Sequence, residues 1–205
     1  MSGAAAAAVA DALQTRGYAV VRDFLTSPEV AELVADVRRR EARGDFRPAA
    51  TGAGPQRAVR PTIRGDRIHW LTLTEGEAEA RLLARLEALK VSLNGACFLG
   101  LVDLECHYAI YPPGAGYVRH LDRSPAGVER VVSVVLYLNE GWTADDGGEL
   151  RLFAEPTVDV RPSGGTLVLF LSDSLEHQVL PTRRERLSLT GWFRRRSPLM
   201  GGVPA

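Results

Sequence analysis

Two histidines and one aspartate in this sequence have the types and spacing of a metal site. His120 and Asp122 lie two positions apart, and His177 follows much later in the chain. Two imidazoles and one carboxylate on one face of a six-coordinate metal leave about three positions open, as in non-heme Fe(II) centres. A structural zinc site would instead be closed by four protein ligands. The competing interpretation is chance, because short histidine motifs give false positives.

Arg186 follows His177 by nine residues. Its guanidinium is a planar, permanently charged fork that can bind a carboxylate through two bonds. We therefore expect Arg186 to bind the far end of a dicarboxylate co-substrate held at the metal. The other two histidines, His69 and His107, are interpreted as surface or core residues without a catalytic role.

Charge and length exclude several classes of protein. The 205 residues include 25 Lys and Arg and 25 Asp and Glu, so the formal net charge is zero. This balance gives no electrostatic reason to expect a nucleic acid or an anionic membrane as partner. The short basic runs at 38–40 and 194–196 are interpreted as a solvated helix face and a chain end. The length predicts a single domain over residues 1–205.

The two cysteines, Cys97 and Cys106, form no CxxC pair. Free thiols in a reducing compartment are therefore the expectation. The alanine tract at 4–8 lacks the basic start and the long apolar segment of a secretion signal, and no stretch reaches the roughly 18 apolar residues of a membrane span. The sequence predicts a cytoplasmic protein.

Helical patterns dominate residues 1–100. The predicted helices are 4–16, one from an N-cap at Ser27 to Gly44, and one from Glu77 to Asn94. The last two carry apolar residues at i, i+3, i+4 and i+7, which places them on one helix face. Between them, Phe46–Pro61 has little apolar pattern and predicts a long mobile loop of the kind that often covers a functional site.

From Leu101 the apolar period changes to two, which is typical of half-buried strands. Seven or eight short strands separated by Gly and Pro turns predict an α+β, mainly β fold, with a jelly-roll core at about 101–195. The N-terminal helices would pack on one sheet, and 196–205 would form a flexible tail. Residues i and i+2 of a strand share a face, so His120 and Asp122 can point at one metal, and a barrel can bring His177 to them.

Several segments carry a family resemblance. They are YPPGAGYVRHLD at 111–122, VLYLN at 135–139, HQVLP at 177–181, RLSLTGW at 186–192 and, upstream, IRGDRIHW at 63–70. Together they resemble the 2-oxoglutarate- and iron(II)-dependent prolyl hydroxylases, in particular the oxygen-sensing enzymes of animals and their bacterial relatives. The resemblance covers roughly Gly17 to Arg194. The 111–120 segment is one residue shorter than in the animal enzymes, and the loop at 51–60 is unlike theirs.

The resemblance implies Fe(II), 2-oxoglutarate and dioxygen as cofactor and co-substrates, with ascorbate as a further candidate. It implies that His120, Asp122 and His177 are the iron ligands and that Arg186 binds the C5 carboxylate of 2-oxoglutarate. It further implies that Tyr137 donates to the same carboxylate and that Tyr111 and Thr190 line the co-substrate pocket. Ordinary strand packing is the alternative for Tyr111 and Thr190.

The resemblance also implies a prolyl residue in a peptide or protein as substrate, with elongation factor Tu as a candidate. Asp66 and Arg130 match positions near the substrate loop, and an ion pair between them could close that loop, although unpaired surface charges are equally expected. Trp192 could flank the substrate entrance or pack in the core. Three other functions stay open: oxidation of a free amino acid or other small molecule, non-catalytic binding by a cupin-like or lectin-like jelly roll, and oxygen or 2-oxoglutarate sensing.

Overall fold

The computed structural model of the protein describes residues 3–52, 58–72, 75–122 and 128–196. Its helices are α1 (Gly3–Arg16), α2 (Ser27–Ala42) and α3 (Glu77–Cys97). The first five strands are β1 (Tyr18–Val21), β2 (Arg47–Pro48), β3 (Ala50–Thr51), β4 (Ala58–Val59) and β5 (Arg67–Trp70). The others are β6 (Asp103–Tyr111), β7 (Tyr117–His120), β8 (Val128–Tyr137), β9 (Leu150–Leu152), β10 (Val158–Val160), β11 (Leu167–Leu171), β12 (His177–Val179) and β13 (Arg186–Arg196).

Two antiparallel sheets form the core of the fold. The larger has the strand order β1-β11-β8-β13-β6-β5-β2, and the smaller has the order β10-β9-β12-β7. The eight strands β6 to β13 thus divide between two facing sheets, which confirms the predicted jelly roll. Strands β1, β2 and β5 extend the large sheet, so residues 1–100 supply sheet edges as well as helices.

Side chains alternate between two cores along the strands of the large sheet. Tyr108 and Ile110 of β6 face the helices, where they join apolar residues of all three helices. Ala109 and Tyr111 of the same strand face the small sheet. This alternation follows from the two-residue period of a strand. The predicted packing of the helices on the outer face of one sheet is therefore confirmed, and the inner face is left to build a site.

The helix boundaries differ slightly from those predicted. The N-cap of α2 is Thr26 rather than Ser27, because the Glu29 carboxylate accepts a 2.8 Å hydrogen bond from the Thr26 backbone N–H. Helix α3 continues through the predicted stop at Asn94 to Cys97, and Phe98 then adopts a left-handed conformation with φ 53°. The Asn94 side chain bonds the backbone of Leu101 instead of ending the helix.

Three other expectations need correction. The described part of Phe46–Pro61 is not structureless, because β2 pairs with β5 and β3 pairs with β4; residues 53–57 lie outside the described ranges. Arg40 of the first basic run is buried and paired with Glu79. The second run lies in β13, where Arg196 still pairs with β8, and 197–205 are outside the described residues.

Within the described ranges, no helix is both long enough and apolar enough to span a lipid bilayer. Cys97 and Cys106 are both free thiols. Burial raises the pKa of Cys106 to about 12, so this thiol stays protonated at neutral pH.

Candidate active site

Two neighbouring strands of the small sheet bring His120 and His177 together. His120 ends β7, His177 begins β12, and the two are direct partners in the antiparallel register. Asp122 lies two residues beyond the end of β7, so its position does not follow from strand alternation alone. Its backbone N–H donates a 3.0 Å hydrogen bond to the carbonyl of Ser172, which fixes the turn at this point.

The three side chains point at one small volume. His120 Nε2 lies 3.6 Å from Asp122 Oδ1, and His177 Nε2 lies 3.5 Å from Asp122 Oδ2. One ligand atom from each residue falls within 4.8 Å of the others. Each Nδ1 faces a backbone carbonyl, at 2.7 Å for His120 and 3.3 Å for His177. Because Nδ1 then carries the proton, the Nε2 lone pairs are left for a metal.

The protonation states also suit a metal. Burial lowers the pKa of His177 to about 4, so its imidazole is neutral at pH 7. Burial would raise the pKa of Asp122, but polar contact with His120 and the charge interactions with both imidazoles hold that pKa below its ordinary value. The side chains of His120, Asp122 and His177 are 16%, 10% and 6% exposed. A buried anionic carboxylate beside neutral imidazole is the donor set that Fe(II) takes in a facial triad.

Arg186 lies at the opposite end of the same inner face. It is 1% exposed, donates from Nε to the Gly148 carbonyl at 2.9 Å, and has Nη1 3.4 Å from Ser188 Oγ. Its guanidinium carbon is 5.1 Å from the ring centroids of both Tyr111 and Tyr137. Among the residues that the structure describes, no carboxylate pairs with it. A buried cation without a counter-ion is costly, so this end of the cavity is built to receive an anion.

Tyr137 places a hydroxyl beside that guanidinium. The side chain is fully buried, and its hydroxyl has no hydrogen-bond partner in the described structure. Burial raises the pKa of Tyr137 to about 12, and burial also raises the pKa of Tyr111. Both phenols are therefore neutral at pH 7, and the Tyr137 hydroxyl is available as a donor to an incoming anion.

If Tyr137 donates to 2-oxoglutarate, as the sequence resemblance implies, removing its hydroxyl should weaken the binding of that co-substrate without weakening the fold. A hydrogen bond to a charged group contributes about 1.5–3 kcal/mol, so Tyr137→Phe is expected to raise KM for 2-oxoglutarate roughly 10- to 100-fold. Thermal unfolding should change little, because the described residues offer this hydroxyl no partner in hydrogen-bond geometry. Tyr18→Phe, on the edge strand β1, is the matched control. An unchanged KM for Tyr137→Phe would exclude the hydroxyl as a donor.

One cavity of about 440 Å³, its mouth included, joins the triad to Arg186. It is lined by Arg64, Tyr111, Tyr117, His120, Asp122, Val135, Leu150, Phe170, His177, Val179, Arg186, Thr190 and Trp192. Arg186, Ser188, Thr190 and Trp192 alternate along β13, which explains how one strand supplies a line of side chains to the cavity. The structure thus brings the predicted triad, Arg186, Tyr111 and Thr190 to one place.

Two residues of this site were not predicted. The Tyr117 ring stacks on the His120 ring with centroids 3.6 Å apart, and the Arg64 guanidinium lies 5.0 Å from the Tyr117 centroid. Arg64 in turn donates to both carboxylate oxygens of Asp66, at 2.7 and 2.9 Å. The only sequence signal for Arg64 was its place in the segment at 63–70, and nothing in the sequence indicated that Tyr117 would stack on a metal ligand.

The structure does not contain the ion pair suggested between Asp66 and Arg130. Asp66 is buried against Arg64, whereas Arg130 donates to Glu105 at 2.9 Å and stacks on the Trp192 ring at 3.5 Å. Asp66 and Arg64 are two residues apart on one segment, so local geometry favours their pairing. Trp192 is 3% exposed, and it forms part of the cavity wall rather than a surface rim.

Comparison with known proteins gives a consistent result. The family model described as the 2OG-Fe(II) oxygenase superfamily matches residues 106–194. The fold resembles a Pseudomonas putida prolyl-4-hydroxylase, with 49% identity, a TM-score of 0.85, and coverage of 94% of this chain and 100% of that one. It also resembles a prolyl hydroxylase from Trichoplax adhaerens in complex with a hypoxia inducible factor peptide, with 30% identity, a TM-score of 0.82, and coverage of 93% and 89%.

Among curated proteins, human Egl nine homolog 1 is 32% identical over 193 residues, or 88% of this chain. The chain spans 44% of that protein's length and 26% of the length of a similar Caenorhabditis elegans hypoxia-inducible factor prolyl hydroxylase. The His-Asp-His cluster fits the family's Fe(II), with 2-oxoglutarate and dioxygen as co-substrates. With a full-length match at 49% identity, the chain belongs to the prolyl 4-hydroxylase family of 2-oxoglutarate- and Fe(II)-dependent dioxygenases.

Proposed function

We propose that this protein hydroxylates a prolyl residue in a peptide or protein and converts 2-oxoglutarate to succinate and carbon dioxide. The observation that carries the proposal is the presence, in one cavity, of the His-Asp-His cluster and a buried guanidinium for which the described residues supply no counter-ion. The similarity to prolyl hydroxylases over most of the chain supports the choice of substrate.

Each polar group of the cavity has a role in this proposal. His120, Asp122 and His177 would hold Fe(II), which with 2-oxoglutarate and dioxygen supplies the oxidant for C–H hydroxylation. Arg186 would bind the far carboxylate through its guanidinium fork while the Tyr137 hydroxyl donates to it. Tyr111 and Thr190 would form the walls along the co-substrate, since both line the cavity.

The apolar lining of the cavity would exclude water from the reacting atoms. Phe170 packs on His177 with ring centroids 4.5 Å apart, and Leu150 and Val179 are buried beside it. A water-poor cavity strengthens the attraction between Arg186 and a carboxylate, and it protects a reactive centre from side reactions. The substrate itself would complete the exclusion by covering the mouth.

The charges of the lining favour a prolyl side chain over a free amino acid. Apart from the two imidazoles of the metal site, the ionic side chains among the described lining residues are Arg64, Asp122 and Arg186. Arg64 is neutralised by Asp66, and the other two are assigned to the co-substrate and the metal. A free amino acid would therefore find no available partner for its ammonium and carboxylate groups. A prolyl ring within a chain is neutral and needs none.

The substrate-side residues are proposed in corrected roles. Asp66 would act by holding Arg64 at the cavity wall, and Arg130 would act by bracing Trp192. We also propose elongation factor Tu as a candidate substrate and ascorbate as an auxiliary reductant, both on the family resemblance. A cytoplasmic location is proposed because two free cysteines suit a reducing compartment.

The test is succinate formation from 2-oxoglutarate by anaerobically iron-loaded protein, measured with and without oxygen and with and without proline-containing peptides. We expect peptide-stimulated succinate and the gain of one oxygen atom on a prolyl residue. Slow succinate formation that no peptide stimulates would contradict a peptide substrate and indicate a small-molecule substrate instead. No iron-dependent succinate would favour a non-catalytic jelly roll and overturn the proposal.

A further inference from the structure

Ser133 makes a direct contact with the metal-site carboxylate. Its Oγ donates a 2.7 Å hydrogen bond to Asp122 Oδ2. Ser133 lies on β8, is 0% exposed, and faces Trp192 across the sheet register. The other carboxylate oxygen, Oδ1, faces His120 Nε2. Oδ2 also faces an imidazole, His177 Nε2 at 3.5 Å, so the two oxygens differ in the serine hydroxyl that donates to Oδ2.

Ser172 extends this contact into a chain of two hydroxyls. Its Oγ lies 2.9 Å from Ser133 Oγ, and Ser172 is also 0% exposed. An ionised carboxylate can only accept, so the Ser133 proton must point at Asp122. Ser133 then receives its second hydrogen bond as an acceptor, and Ser172 is the donor. Aligned hydrogen bonds in a buried site polarise and strengthen each other.

The backbone holds the far end of the chain in place. The Ser172 N–H donates to the Val131 carbonyl at 3.0 Å, and the Ser172 carbonyl accepts from the Asp122 N–H at 3.0 Å. Ser172 thus contacts Asp122 through its carbonyl and, by way of Ser133, through its side chain. Rotation of the carboxylate would break the contact to Ser133, leaving a buried hydroxyl with a missing partner.

We propose that Ser133 and Ser172 are positioning residues that keep Asp122 monodentate. The inference rests on the proposed metal site. Both oxygens border the imidazole nitrogens, but one lone pair of Oδ2 is engaged by the Ser133 proton, which makes Oδ1 the stronger ligand for a metal. A bidentate carboxylate would take a fourth position, whereas one oxygen leaves the three that a chelating co-substrate and dioxygen require. The two serines thereby set the number of open positions as well as the angle of the ligand.

The test uses Mn(II) as a probe on the full chain, without co-substrate. Its dissociation constant and the number of bound waters are measured by water-proton relaxation. We expect about three waters on the wild-type protein. For Ser133→Ala we expect about two waters and an affinity loss of roughly 10-fold, the lower end for an outer-shell partner. Ser133→Thr, which keeps the hydroxyl, should restore the wild-type values. Unchanged water number and affinity in Ser133→Ala would overturn the proposal.

Two further variants supply a second test of the proposal and a control for loss of a serine hydroxyl. Ser172→Ala leaves the Ser133 donor in place but removes its orienting partner, so a smaller loss, about 3-fold in affinity, is expected. If Ser133→Ala does not fold, Ser172→Ala tests the proposal in its place. An unchanged Mn(II) affinity in Ser172→Ala would then overturn the proposed role of the two hydroxyls. Ser92→Ala, on the exposed face of α3, deletes the same atom far from the cavity. Wild-type protein that binds no Mn(II) would instead contradict the metal site itself.

Discussion

Asp122→Ala is expected to abolish iron-dependent succinate formation at any concentration of 2-oxoglutarate. The substitution removes the anionic member of the ligand set and leaves two imidazoles, whose Nε2 atoms flank the missing carboxylate at 3.5–3.6 Å. Losing only an outer-shell partner typically costs 10–100-fold in metal affinity, so losing a ligand should cost more than about 100-fold. Metal binding by titration and turnover at saturating 2-oxoglutarate measure the two effects separately.

Asp122→Asn distinguishes the charge of this ligand from its shape. The amide retains an oxygen that can accept from Ser133, so the site should keep its geometry while metal affinity still falls. Asp159→Ala is the matched control, because Asp159 forms an exposed ion pair with Arg151 of the kind that contributes little to stability. Wild-type turnover in Asp122→Ala would remove this residue from the ligand set.

The sequence predicted most of the elements and the three residues that cluster in the candidate metal site. Apolar stripes predicted α2 and α3, and two-residue alternation predicted the strands, because both follow from the local period of the backbone. The spacing of His120 and Asp122 indicated a pair of ligands, and a barrel was needed to supply His177. In the structure His177 is the direct register partner of His120, a relation that strand order alone does not reveal.

The partners of the polar residues could not be predicted in the same way. Arg130 pairs with Glu105 and Arg64 pairs with Asp66, whereas the sequence suggested a bond between Asp66 and Arg130. Two one-to-one pairings of these two arginines and two acids are compatible with the composition, and the choice depends on the β6–β8–β13 register. Ser133 is the clearest example. Nothing about a serine within an apolar strand predicts that it donates a hydrogen bond to a carboxylate 11 residues away.

Buried charge was underestimated for a related reason. The run at 38–40 was interpreted as a solvated face, yet Arg40 is 2% exposed and pairs with Glu79, which is 0% exposed. Residue type indicates exposure only on average, and a buried arginine is acceptable when a carboxylate from another helix neutralises it. Arg186 differs from Arg40 in this respect. Both are buried, but only Arg40 has a carboxylate partner among the described residues.

Because the described residues give Arg186 no carboxylate partner, removing its side chain should have a large effect on co-substrate binding. Arg186→Ala is expected to cost about 2–5 kcal/mol of binding free energy. This corresponds to a rise in KM for 2-oxoglutarate of roughly 30- to 4000-fold, with a smaller change in kcat at saturation. The guanidinium has no counter-ion among the described residues, so its removal leaves no buried carboxylate behind. The substitution does remove a hydrogen bond to Gly148, a longer contact with Ser188 and the contacts with the Tyr111 and Tyr137 rings. Kinetics in 2-oxoglutarate, with anaerobic calorimetry of its binding, measure the effect.

Arg186→Lys shows whether the fork or only the charge matters. A lysine ammonium keeps the positive charge but cannot form two parallel bonds to one carboxylate, so an intermediate KM is expected. Arg183→Ala, on the exposed turn before β13, is the matched control and should leave KM unchanged. If Arg186→Ala binds 2-oxoglutarate as tightly as the wild type while retaining its thermal stability, the carboxylate must bind elsewhere. If Arg186→Lys is fully active, charge alone accounts for the role of this residue in binding.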